Sequence, residues 1–203
     1  LASSRLDNLS SVHAGLVALE NLAGTETDAA VFVAFDHEEV GSGTRSGAGG
    51  PFLQDVLHGL AAVMGFVDDG ERALLARSSC ISADAGHSVH PNYGQLHDPQ
   101  VRPLINHGPL LKINARQRYA TDAVGGAIWK RACKAAGVPT QDFVSNNSVP
   151  CGTTIGPITA SRLGITTVDV GIALLSMHSA REMCGVEDGP YLARALHAYW
   201  AEN

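Results

Sequence analysis

The stretch Ala29-Ala30-Val31-Phe32-Val33-Ala34-Phe35 runs directly into Asp36-His37-Glu38-Glu39. Its first seven residues are apolar, continuous and few, the pattern of a strand buried on both faces of a sheet. Four ionisable residues then arrive together, followed by Val40 and a Gly-rich stretch. Open α/β sheets bind ligands at the carboxyl ends of their strands. The junction therefore predicts both an α/β sheet and the rim at which its chemistry sits. Two neighbouring carboxylates at such a rim can divide labour, one holding a cation while the other moves a proton. Read alone, Asp-His-Glu-Glu is explained equally well by a solvated acidic turn.

Outward from this junction, helical and strand patterns alternate, which predicts a layered α/β domain. Leu9, Val12, Leu16, Leu19 and Leu22 recur at helical spacing over residues 9–23, with Asp7 and Asn8 placed as caps. Residues 43–50 hold four glycines and read as a loop. Pro51 opens a helix that runs to Met64. A helix from Asp69 to Arg77 precedes a strand through Cys80-Ile81-Ser82-Ala83-Asp84. Residues 86–109, rich in His, Pro, Gly and Asn, read as a long loop, and such loops inside compact domains usually serve function. Leu110-Leu111-Lys112-Ile113-Asn114 and Phe143-Val144-Ser145 are strand-like. Between them, a helix from Asp122 to Ala136 is stopped by Gly137 and Pro139. A helix from Ile155 to Leu163 ends at Gly164, Thr166 to Ile172 is rich in β-formers, and an amphipathic helix covers Gly189 to Trp200. No repeat or second boundary interrupts this order, so 1–203 reads as one domain.

Bulk properties narrow the function classes. The 203 residues suffice for one sizeable core. A formal net charge of −6 gives no basis for nucleic-acid or anionic-membrane binding. No apolar run approaches the ~18 residues of a membrane span. Cys80, Cys133, Cys151 and Cys184 lie far apart without a C-x-x-C pair, which predicts reduced thiols and a cytoplasmic protein. Cys151 reads as a small buried residue beside a turn rather than as a nucleophile. The start, Leu1-Ala-Ser-Ser-Arg-Leu-Asp, lacks Met and a signal-peptide core and reads as internal to a longer chain.

Four segments place metal-ligating side chains at strand ends or helix starts: Asp7, the Glu38-Glu39 pair, Asp84 and His178. Zinc accepts carboxylate oxygen and imidazole nitrogen, and a catalytic zinc keeps a position open for water. Each residue alone is more often structural. Their joint occurrence, in this order, carries the expectation.

Together with their surroundings these segments resemble the aspartyl aminopeptidases, a family of dinuclear zinc exopeptidases. The resemblance is carried by Arg-Leu-Asp-Asn (5–8), Phe-Asp-His-Glu-Glu-Val-Gly-Ser (35–42), Ser-Ala-Asp-Ala-Gly-His-Ser-Val-His-Pro-Asn-Tyr (82–93), Leu-Lys-Ile-Asn-Ala-Arg-Gln-Arg-Tyr-Ala-Thr (111–121), Pro-Cys-Gly-Thr-Thr-Ile-Gly-Pro-Ile (150–158) and Met-His-Ser-Ala-Arg-Glu-Met (177–183). It implies a three-layer α/β/α exopeptidase domain with a central mixed, mostly parallel sheet, of which this chain is the C-terminal part. Asp7 would bridge two ions, Glu39 and His178 would complete the first site, and Asp84 would join Asp7 at the second. Glu38 would act as the general base. The implied substrates are peptides with an acidic N-terminal residue, met by His87, Lys112 and Tyr119. The Gly152-Thr153-Thr154 backbone would line the same site. Arg181 and Glu182 read as local structural ion partners.

The resemblance also implies absences. An N-terminal histidine for the second ion, its acidic partner and a dimerisation domain have no counterpart here. One zinc is therefore expected to bind well, with Mn or Co as other occupants of such ligands. Activity of this chain alone is expected to be impaired, the full-length parent to be a homo-oligomer, and the sheet to carry an exposed apolar edge. The competing readings are a related zinc amide hydrolase and a non-catalytic or incomplete fragment.

Overall fold

A computed structural model describes residues 1–24 and 28–201. In chain order the elements are β1 (Ala2–Ser3), α1 (Leu6–Glu20), α2 (Phe52–Val63), α3 (Asp69–Arg77), β2 (Ser79–Ala83), β3 (Gly86–His87), β4 (Leu110–Ile113), α4 (Ala123–Ala135), β5 (Gln141–Val144), α5 (Gly156–Leu163), β6 (Thr166–Gly171), β7 (Ala173–Leu174), β8 (Glu182–Met183) and α6 (Asp188–Ala201). Short 3-10 turns occupy Glu38–Val40 and Gly94–Leu96.

The central sheet has the order β2-β6-β4-β5. β2 runs parallel to β6 and β4 parallel to β5, while β4 and β6 are antiparallel, so the sheet is mixed and mostly parallel. β6 occupies an inner position because Thr-Thr-Val-Asp-Val is rich in β-branched residues and tolerates burial on both faces. Val168 and Val170 point into one apolar cluster with Trp129 and Cys133 of α4, Leu192, Ala195 and Leu196 of α6, and Ala14 and Ala18 of α1. Asp169 points the other way, against Gly156 at the start of α5. Helices on both faces give the three-layer arrangement.

Local signals explain most boundaries. The Asp122 side chain accepts a hydrogen bond from the Gly125 amide at 2.8 Å and caps α4. Gly164, with φ +66, closes α5 as expected of a left-handed C-terminal residue.

Two expectations are corrected. Residues 29–35 are not a buried strand. They have no ladder partner among the described residues, and Val31 is exposed. A strand is stabilised by its neighbours' hydrogen bonds and cross-strand side chains, and residue type alone supplies neither. β2, with β6 on one side, has no strand on its other side among the described residues. The second correction concerns α1. Its helix is present, but Leu9 and Leu16 are exposed and the buried face is Ser11, Ala14, Gly15 and Ala18. Small residues allow close approach, with α6 packed on this helix and the Phe32 ring against Gly15.

Candidate metal centre

Three remote segments meet at one rim of the sheet. Asp7 sits at the head of α1, where Asp7 and Asn8 depart from helical dihedrals and the peptide bond between them is cis. The Asn8 side chain donates to the Ala83 carbonyl at 2.8 Å and accepts from the Ala85 amide at 3.2 Å. It thus ties the head of α1 to the exit of β2, which carries Asp84. Glu38 and Glu39 lie on the turn after the 29–35 run. His178 lies in the connection between β7 and β8.

The glutamate turn is held by its own loop. The Ser42 amide donates to the His37 carbonyl, and the His37 ring meets Thr44 Oγ1 at 3.0 Å. The loop then folds back onto Ser42, whose carbonyl accepts from the Gly49 amide at 3.0 Å. A Cβ at Gly47 would lie 2.5 Å from the Ser42 carbonyl oxygen, and one at Gly50 2.5 Å from that of Arg45. Gly47, Gly49 and Gly50 are therefore packing requirements of this loop.

The ring of His178 approaches Asp7 Oδ2 at 3.0 Å and Glu39 Oε1 at 3.4 Å. One ligand atom from each of Asp7, Glu39 and His178 lies within 4.8 Å of the others. The Asp7 side chain is only 6% exposed, while Glu39 and His178 are 60% and 62% exposed, so the cluster opens to solvent on one side. The cleft there is also lined by Arg5, Ser179 and Glu182.

Glu182 organises this cluster. It is 2% exposed, and its two oxygens accept from the Asp7 amide at 2.9 Å and the His178 amide at 2.7 Å. Sequence reading placed it among structural ion partners; the structure shows it gripping two backbone segments that each carry a ligand. Glu182→Ala orphans two amides, which is expected to cost about 2–4 kcal/mol of stability. It should also weaken zinc binding by about 10–100-fold, as loss of ligand-supporting groups does. Thermal melts and chelator competition read both.

Asp84 stands beside the cluster and raises the pKa of both Asp7 and Glu38. Its carboxylate is held by Lys112 at 3.0 Å. Lys112 is 2% exposed, donates also to the Ala85 carbonyl at 2.8 Å, and lies 5.4 Å from the centre of the Tyr119 ring. Tyr119 is buried against Phe143, with its hydroxyl toward Cys151 and Ser145. His87 is exposed on β3, within electrostatic reach of Asp84, Lys112 and His178. Asp84, Lys112 and Tyr119 are thus one connected group, with His87 at its edge.

Burial first, then Asp84 and Glu39, push the Asp7 carboxyl up to about 7. Burial, followed by Asp84 and Glu39, also raises Glu38 above its ordinary 4.5. Carboxylates crowded in this way gain from a divalent cation, and two carboxylates with one imidazole are donors that zinc accepts. The residues present fit such an ion.

The shift at Asp7 has a signed consequence. A carboxyl raised from 3.8 to about 7 binds its proton more tightly in the folded than in the unfolded chain. Metal-free stability from this group is therefore full below about pH 4 and is lost as pH rises to 7, by up to about 4 kcal/mol. Desolvation of the ring, followed by neighbouring positive groups, lowers His87 and His97, and they act in the opposite sense. Comparing zinc-loaded with metal-free protein largely cancels them. The rise in Tm on adding zinc is expected to be larger at pH 8 than at pH 5, and a flat difference refutes the assignment to Asp7.

A mixed sheet between helical layers, with a carboxylate–carboxylate–imidazole cluster at its rim, defines an α/β domain with a group of side chains able to hold a metal ion. Residues 1–200 match the family model described as aminopeptidase I zinc metalloprotease (M18). A Streptomyces coelicolor protein named "Probable M18 family aminopeptidase 2" is 54% identical over 203 residues, covering 98% of this chain and 47% of that protein. Among solved structures, prApe1 superposes with a TM-score of 0.91 at 32% identity, over 100% of this chain and 44% of its own. The Saccharomyces cerevisiae mApe1 dodecamer gives 0.85 at 31% identity, over 100% and 46%. The chain belongs to the M18 family of zinc metalloproteases. It spans about half the length of the curated relatives it matches.

Proposed function

We propose that the protein carrying this chain is a metal-dependent aminopeptidase that releases N-terminal Asp or Glu from peptides. The observation that carries the reading is the convergence of Asp7, Glu39 and His178, with Glu38 adjacent to Glu39 and outside the ligand trio. In this reading the trio holds the catalytic cation, and Asp84 joins Asp7 toward a second. A bound zinc supplies Lewis-acid polarisation of the scissile carbonyl and acidifies the attacking water.

The chain's own residues do the rest. Glu38 takes the proton from the attacking water and passes it to the leaving amine. Its raised pKa suits the first of these steps, because a more basic carboxylate takes the proton from water more readily. Glu182 keeps two ligands in register. His87 and Lys112 meet the acidic side chain of the substrate, with Tyr119 beside Lys112. A carboxylate buried without such partners would be costly. Residues 1–203 act as one domain, the C-terminal part of the catalytic unit. The dodecameric S. cerevisiae relative supports a homo-oligomeric holoprotein.

The pairing of Asp84 with Lys112 favours a narrower second reading, in which this chain by itself binds one ion at the trio. Metal analysis of the purified chain, paired with hydrolysis of Asp-, Glu-, Leu- and N-acyl-anilides with and without zinc, manganese or cobalt, tests both. One ion and cleavage of the Asp and Glu substrates fits the aminopeptidase reading. One ion without cleavage marks an incomplete catalytic unit. Cleavage confined to the acyl substrates, or a folded chain that binds no metal, overturns it.

A further inference from the structure

β6 buries a carboxylate that the proposed chemistry does not use. Asp169 is 0% exposed in a strand otherwise built from Thr, Val and Gly. Among the described residues it has no cationic side chain in an ion pair. Every donor it meets comes from a segment at the proposed substrate site. Ser82 Oγ and Thr154 Oγ1 both donate to Oδ1 at 2.6 Å, and the Ala120 amide donates to Oδ2 at 2.6 Å. Its own amide donates to Thr121 Oγ1 at 2.9 Å. A Cβ at Gly156 would lie 2.2 Å from Oδ2, so the start of α5 closes over the carboxylate.

Each anchor adjoins a residue that forms or supports the recognition group. Ser82 stands two residues before Asp84 on the β2 exit. Ala120 follows Tyr119, whose ring flanks the Lys112 ammonium that holds Asp84. Thr154 ends the Gly152–Thr154 stretch, which is stitched to the 118–121 loop by Thr153 Oγ1 donating to the Arg118 carbonyl and by the Arg118 guanidinium donating to the Cys151 carbonyl. A buried charge without a counter-ion is retained only when hydrogen bonds compensate it. Here three charge-assisted bonds converge from three segments.

We propose that Asp169 is a positioning residue for substrate recognition: its carboxylate locks the Ser82, Ala120 and Thr154 segments so that Lys112, steadied by Asp84, and Tyr119 are presented together to the substrate's acidic side chain. The inference rests on the aminopeptidase reading above. Asp169 touches neither the ligand trio nor Glu38, so it sets affinity for the acidic side chain rather than the rate of bond cleavage.

Asparagine is the discriminating substitution. Asp169→Asn keeps an oxygen for the two hydroxyls but turns an amide NH2 toward the Ala120 N–H, which frees the Tyr119 loop selectively. The experiment uses the full-length, zinc-loaded protein and measures kcat and KM for Asp- and Leu-p-nitroanilide, with zinc content alongside. Asp169→Asn is expected to raise KM for the Asp substrate at least about tenfold while kcat stays within about threefold, narrowing the Asp-over-Leu preference, with zinc content unchanged. Thr154→Ser should behave as wild type, and Thr154→Val should show a smaller rise in KM of about threefold. If Asp169→Asn does not fold, the Thr154 pair decides. Unchanged KM in folded variants, or kcat and zinc content falling together, overturns the inference. If the wild type does not cleave the Asp substrate, the aminopeptidase reading itself has failed, before any variant is compared, and this inference falls with it.

Discussion

Glu38→Gln is expected to lower kcat/KM for the acidic substrate by about 10²–10⁴-fold, the range lost when a positioned general base is removed. Most of that loss should fall on kcat, because Glu38 is outside the ligand trio and its proposed part is proton transfer rather than grip on the substrate's side chain. The substitution is nearly isosteric and removes a carboxyl whose pKa is raised by burial and by two carboxylate neighbours, so folding should be preserved or slightly improved. Zinc content should stay at the wild-type value. The pair of readouts matters: Glu39, its neighbour, is a trio member, and Glu39→Gln should lose zinc and activity together. If Glu38→Gln loses zinc and Glu39→Gln keeps it, the two glutamates have exchanged roles. If Glu38→Gln retains full kcat, no proton moves through this residue and the proposed mechanism is wrong.

The two neighbouring glutamates were legible in the sequence as a pair able to divide labour, whereas which one holds the ion and which moves the proton was implied only by the family resemblance. Most helices and strands were legible for a local reason. The Gly137 and Gly164 stops, the Asp122 cap and the β-branched run at 166–171 each carry their own physical cause. Residues 29–35 carried an equally strong strand pattern, yet a strand is a relation between segments, and this one is unpaired among the described residues. The buried face of α1 failed for a like reason. Leu9 and Leu16 look like a core stripe until α6 is seen to pack on Ala14 and Ala18. At the site, Asp7, Glu39 and His178 were readable as ligand types, whereas Glu182 was not readable as their clamp, because its partners are backbone amides, one of them 175 residues away. Asp169 did leave a trace. A carboxylate in the middle of Thr-Thr-Val-Asp-Val is out of place in a buried strand, and a buried charge must be bound by something.

The second large effect is expected at Asp7. Asp7→Asn should abolish zinc binding at the trio, weakening it by about 10³-fold or more, because a neutral amide replaces the one ligand that is mostly buried. Two opposing terms decide the net result. The metal-free variant should be the more stable at pH 8, since the carboxylate pushed up to about 7 by burial, Asp84 and Glu39 is gone. At the same pH the zinc-loaded wild type should be the more stable, because a ligand that binds only the folded state adds about 4 kcal/mol at 1,000 times its Kd. The curves of Tm against zinc for wild type and Asp7→Asn are therefore expected to cross, with the variant higher without metal and lower with it. A merely structural Asp7, whose value lay in packing and in its amide bond to Glu182, predicts something else: lower Tm for the variant at every zinc concentration and no crossing. The amide bond itself survives the substitution, since it is made by the backbone. The crossing thus isolates the carboxylate, and with it the claim that this charge is kept, at a cost to the metal-free fold, for the cation it binds.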